Sequence, residues 1–126
     1  MPDATQPAAM KLRRAFFEAE TIITRPEQPC QGAFLIEAGK VETYRMAGDR
    51  KVVMAVLGKG EIFGEMALVE NTQHAHFARA LEGTDCLLIP RAQYDAQIAQ
   101  TPPIVRLILT RVVRKLRKTT GLTFGR

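Results

Sequence analysis

Between residues 21 and 89 the chain breaks into short β-favouring runs separated by glycine turns, and that spacing leaves few folds open. Ala33–Glu37, Lys40–Met46 and Lys51–Leu57 read as strands joined by Ala38-Gly39 and Gly48-Asp49. In the second of these, Val41, Thr43 and Arg45 alternate with Glu42, Tyr44 and Met46, the period of a half-solvated strand. Ala78–Leu81 and Thr84–Ile89 add two more around Glu82-Gly83, and Thr21–Thr24 adds another that Pro26 interrupts. Many short strands with glycine turns predict an antiparallel sandwich or jelly roll rather than alternating β/α units.

Helical patterns fall at the two ends. Pro7 suits a first helical turn, and Ala9, Leu12, Phe16 and Ala19 share one face, which predicts a helix from about Pro7 to Ala19. Pro90 is expected to end the sheet. Arg91–Ala99 then forms a short helix with Tyr94 and Ile98 facing inward, and Pro102-Pro103 opens a last helix to about Thr119, with Gly121 as its stop. At 126 residues this is one domain, spanning 1–126.

The chemistry that composition excludes is considerable. No serine occurs anywhere, which removes serine-nucleophile triads, and no enzyme activity is expected. Cys30 and Cys86 lack a C-x-x-C arrangement and fit a reducing cytoplasm, with Cys86 a small core residue. The N-terminus is no secretory signal, and no run is long enough to span a membrane, so a cytoplasmic protein is expected. Net charge is +5, yet the residues before position 96 are mildly acidic and the positive excess sits on the tail.

Residues 58–81, GKGEIFGEMALVENTQHAHFARAL, are the stretch that the strands serve. Gly64 can open a turn and allow close backbone approach. Residues 65 to 69 suffice for about one helical turn, whose first N–H groups can hold an anion. Glu65 beside them can accept hydroxyl groups of a ligand that also carries phosphate. His74 and His76 are the only histidines; they could hold a metal with Glu70 or Asp85, but no further Cys or His completes a set, and no metal is expected.

This segment resembles the phosphate-binding cassette of the cyclic nucleotide-binding domain family, shared by catabolite-activator-type regulators, kinase regulatory subunits and gated channels. The family pattern is close to F-G-E-(aliphatic)-A-L-(aliphatic), three variable residues, then P-R-(small)-A. Phe63, Gly64, Glu65, Met66, Ala67, Leu68 and Val69 match it throughout, and the spacing to the second half is kept. The resemblance covers about residues 15 to 120 and implies a β-roll flanked by helices. It implies a regulatory or sensory role, with cAMP the expected ligand, cGMP the alternative, and no other cofactor. Gly64, Glu65, Met66 and Ala67 then hold ribose and phosphate, together with Ala75.

The second half departs from the pattern. His74 stands where the family has the arginine that pairs with the cyclic phosphate, Gln73 replaces the proline, and His76 replaces a small residue. Arginine is a permanently charged fork; histidine offers at most two donors and is largely neutral at pH 7. The expected binding is therefore weak or altered, and affinity that depends on a cationic His74 should rise as pH drops from about 8 to 6. The alternative is a pocket that has lost its ligand, in a domain acting through protein contacts. A further departure is Pro26-Glu27, where the family has a glycine and an acidic residue, so that turn is expected to be remodelled.

The last helix matters for assembly. Val105, Leu109, Val112, Val113 and Leu116 form an apolar stripe, widened by Ile104, Leu107 and Ile108. Basic residues thicken toward its C-terminus, which favours the helix dipole. One stripe suffices to lie on a β-roll, so the surplus over 104–118 predicts a homodimer or a separate effector protein. Leu109→Glu and Val113→Glu are the changes expected to split that dimer. By the resemblance, Thr119 and Thr120 fall where the regulators touch the base. The regulators continue into a helix-turn-helix module for which the sequence has no counterpart, so no sequence-specific DNA binding is expected.

Overall fold

A computed structural model describes residues 12–120. Their order is β1 (Arg13–Phe17), β2 (Ile22–Thr24), β3 (Gly32–Ala38), β4 (Val41–Ala47), β5 (Arg50–Leu57), β6 (Ile62–Phe63), α1 (Glu65–Glu70), β7 (Phe77–Ala80), β8 (Thr84–Pro90), α2 (Arg91–Ala99) and α3 (Pro103–Thr120). The strands make two antiparallel sheets, ordered β1-β8-β3-β6 and β2-β7-β4-β5. The chain changes sheet at every step from β1 to β8 except between β4 and β5, which rolls the two sheets face to face. This is the expected β-roll with helices at its C-terminal end.

The inner strands carry the core because both their edges are paired. β3 lies between β8 and β6, and β4 between β7 and β5. Ile36, Val41, Phe63, Ala78 and Cys86 pack between the sheets, with Phe17, Ile23, Phe34 and Leu57 around them. Phe34 stacks on Phe63 at 5.0 Å and meets Phe17 edge-on at 5.8 Å. A second cluster, Cys30, Ala33, Ala67 and Leu68, fills the space under α1 and receives Ile89 and Tyr94. Burial and the nearby Asp85 and Glu37 push the Cys86 thiol up to about 11, as befits a core residue rather than a reactive one.

The hydroxyl of Thr84, fully buried, ties the β3–β4 turn to β8 by accepting from Lys40 N–H at 3.2 Å and lying 2.8 Å from the Glu82 carbonyl. Gly39 must be glycine there: its φ is +109°, and a Cβ would lie 2.4 Å from Thr84 Oγ1.

Two expectations need correction. Residues 13–17 are strand, not helix; the remainder of the expected helix before residue 12 lies outside the described residues. Arg13–Phe17 pair along Thr84–Leu88, the otherwise unpaired edge of β8, and set Phe17 against Phe34. Edge pairing and that aromatic contact override the helical spacing. β4, in turn, is not half-solvated: Glu42 and Tyr44 are buried beside Val41. Lys51 Nζ and Arg79 Nη2 donate to Glu42 Oε1 at 2.7 and 3.4 Å, and Tyr44 stacks on Phe77 at 4.9 Å. Burial alone pushes the Glu42 pKa up; Lys51 and Arg79 outweigh it and leave it below the usual value.

At the C-terminal end α2 forms as expected, and its Arg91 donates from Nε to the Cys30 carbonyl at 3.0 Å and from Nη2 to that of Ala67 at 3.3 Å. These bonds tie α2 to the segment before β3 and to α1. α3 packs chiefly against α1. Only Val113 of its apolar stripe is buried and Leu109 is half-buried, while Ile104, Val105, Leu107, Ile108, Val112 and Leu116 are exposed. Among the described residues no helix is long and apolar enough to cross a membrane.

Candidate functional site

The site begins where β6 gives way to α1. Gly64 caps α1 in the left-handed conformation, φ +83°, which costs other L-residues about 1–2 kcal/mol. A Cβ there would lie 3.3 Å from the Gly32 carbonyl oxygen and 3.4 Å from His74 Cε1, so the backbone and the His74 ring close onto a position without a side chain. Ala67 and Leu68 anchor α1 in the second cluster, and Asn71, also left-handed at φ 56°, ends it. Glu65 is the acidic residue of the first turn of α1. Burial pushes its pKa up, against a hydrogen bond from its own backbone N–H that pulls it down.

The following segment is held by main chain rather than by packing. His74 N–H donates to the Gln28 carbonyl at 3.0 Å, and Glu27 N–H donates to the His74 carbonyl at 2.8 Å. Gln73 forms an isolated bridge with Pro29. Arg25–Gln28 forms a turn closed by Gln28 N–H to the Arg25 carbonyl at 3.2 Å, with Glu27 at φ 68° where glycine is the usual occupant. This lacing holds His74 buried.

Between these elements and the β2-β7-β4-β5 sheet lies a cavity of about 480 Å³. Gly64, Glu65, Met66, Ala67, His74 and Ala75 all line it, facing Thr43, Ala55 and Leu57 from the sheet. Thr119 is not on its wall; its hydroxyl donates to the Lys115 carbonyl at 3.1 Å, and Thr120 ends α3. α3 reaches the cavity through Leu116 and Arg117 instead. These two, and His76 as a cavity residue, escape a reading by motif. The signal for Arg117 is its place one helical turn beyond Val113, the buried residue of α3.

Electrostatically the two imidazoles are disfavoured as cations. Burial, then the charge of Arg91, pushes the His74 pKa below its ordinary 6.5. Burial, then Arg117 and Arg45, does the same for His76. A cationic His74 is thus harder to reach than a free imidazole cation, so any gain in affinity that depends on it is shifted toward lower pH. No group of three His, Cys, Asp or Glu residues that could hold a metal occurs among the described residues.

The fold is thus a β-roll in which a glycine-capped turn of helix opens onto a partly open cavity. Residues 14–101 match the family described as cyclic nucleotide-binding domain, and the chain belongs to that family. It is 34% identical over 89 residues to the cyclic AMP receptor protein of Thermus thermophilus, covering 70% of this chain and 41% of that protein. The catabolite activator protein structure from Thermus thermophilus superposes with a TM-score of 0.72 at 29% identity, over 86% of this chain and 51% of that one. The cAMP-bound form of the EAL enzyme Bd1971 gives a TM-score of 0.77 at 27% identity, over 85% of this chain and 29% of that one. The chain thus spans about 41% of the length of the curated relatives it matches.

Proposed function

We propose that this domain is a non-catalytic regulatory module whose cavity binds a cyclic nucleotide, cAMP in preference to cGMP. The observation that carries this reading is the cavity itself, of about 480 Å³ and walled by Gly64, Glu65, Met66 and Ala67. That volume lies in the range of small-ligand pockets. In this reading Glu65 accepts ribose hydroxyls and the free N–H groups of the first turn of α1 meet the phosphate. His74, held neutral, supplies little charge, so native binding is weak.

Calorimetric titration of cAMP and cGMP into the native protein and into His74→Arg tests this. The native protein should bind, and the arginine should tighten binding by about 1–3 kcal/mol through a charged hydrogen bond. Absence of heat with both nucleotides in both proteins overturns the reading. Binding by His74→Arg alone marks the native pocket as having lost its ligand.

α3 supports a second element of the proposal. Its exposed row of Ile104, Val105, Ile108 and Val112 meets a second copy of the chain, making a symmetric dimer through residues 104–118.

A further inference from the structure

Among the described residues lining the cavity, Arg117 is the one lysine or arginine. It projects from the C-terminal half of α3, and its Nε donates to Glu70 Oε1, at the end of α1, at 2.6 Å. Arg117 also borders a second, more open space outside the cavity, about 660 Å³, which Glu70, Arg106 and Arg114 line. Glu70 lines only that outer space, so the ion pair crosses the partition between the two. His74 borders both as well, but a buried, neutral imidazole carries no fixed charge.

We propose that Arg117, on α3, binds the anionic group of the cavity's ligand in place of the arginine missing at position 74, and that Glu70 opposes it by holding the guanidinium and neutralising its charge. The inference rests on the cyclic nucleotide reading above. Its chemistry is simple. A guanidinium has five N–H donors in a rigid fork, and the Glu70 bond engages Nε, so the same group can meet a phosphate diester from the cavity side. The Glu70 side chain is only 16% exposed, so its charge is little screened, and it lowers the positive potential that an anion in the cavity feels. Ligand and Glu70 therefore compete for the charge of one cation, and that cation belongs to α3 at the edge of the cavity.

The competition separates this role from a structural one, because the two partners of the clasp should act with opposite sign. Calorimetric titration of cAMP into the native protein, Arg117→Gln, Arg117→Lys and Glu70→Gln makes the test, with thermal unfolding of each as a folding control. Arg117→Gln should weaken binding by about tenfold or more, and Arg117→Lys by less. Glu70→Gln, which keeps an acceptor and removes the charge, should tighten binding several-fold. If Arg117→Gln binds as the native protein does, or if Arg117→Gln and Glu70→Gln weaken binding alike, the inference falls while the cyclic nucleotide reading stands. If neither cAMP nor cGMP binds the native protein, both fall. Should Arg117→Gln fail to fold, the sign of the Glu70→Gln effect still decides.

Discussion

Where α1 borders the cavity, Ala67 and Leu68 are buried, Gly64 is fixed by a conformation few residues adopt, and Arg91 bonds the Ala67 carbonyl. Where α3 borders it, Leu116 is 46% exposed, and the helix is held chiefly by the buried Val113 and the Arg117–Glu70 pair, with Leu109 half-buried. One wall is set by dense packing and backbone geometry, the other by one buried valine and one ion pair. The contrast assigns different consequences to substitution. Changes at the α1 wall should be felt in folding stability, and changes at the α3 wall in ligand affinity and association.

Phe63→Ala, just before the α1 wall, should have the largest effect. Phe63 is 3% exposed and stacked on Phe34, so truncation should cost about 3–5 kcal/mol in urea unfolding. A loss below about 1 kcal/mol would break the comparison at its firmer side. Gly64→Ala should cost about 1–2 kcal/mol for its backbone conformation alone, raised by the crowding against the Gly32 carbonyl.

On the other wall, Ile108→Glu and Val112→Glu should change stability by less than about 0.5 kcal/mol yet abolish self-association. These residues are exposed and face away from the body. They replace Leu109 and Val113 as the discriminating positions, since Val113 is buried and a glutamate there would undock α3 itself. Sedimentation velocity at tens of micromolar reads the outcome; a native protein that remains monomeric sinks the dimer.

The smallest effect is that of pH. His74 and His76 have native pKa values below the ordinary 6.5, so below that pH the unfolded chain binds more protons. Stability should therefore fall as pH drops from about 6.5 through the native values. Glu65 acts in the opposite sense, because its raised native pKa relieves a buried charge as pH falls toward the carboxylate range. Urea unfolding between pH 8 and 5.5 should show a decline that His74→Gln flattens.

The boundaries of β3, β5, α1, α2 and α3 were legible because each rests on local chemistry: glycine or proline at its ends and an apolar period within. Gly64, Glu65, Met66 and Ala67 were legible for the same reason, since contiguous residues keep their spacing when the chain folds. What escaped the sequence depended on distant partners. Phe16 and Ala19 sit at helical spacing, and only the free edge of β8 makes Arg13–Phe17 a strand. Glu42 reads as solvated until Lys51 and Arg79 converge on it. Arg117 reads as one more charge of a basic tail until α3 sets it beside Glu70, 47 residues earlier.

The length of α3 gives its C-terminal ion pair mechanical leverage. Arg117 lies 14 residues beyond Pro103, and at a rise of 1.5 Å per residue that is an arm of about 21 Å. A swing of only about 5° about Pro103 moves the tip by about 2 Å, which carries a hydrogen bond of 2.6 Å well beyond bonding range. The same swing moves the first turn of the helix by a few tenths of an ångström. Arg117 and Glu70 thus register changes of helix angle to which the start of α3 is nearly blind.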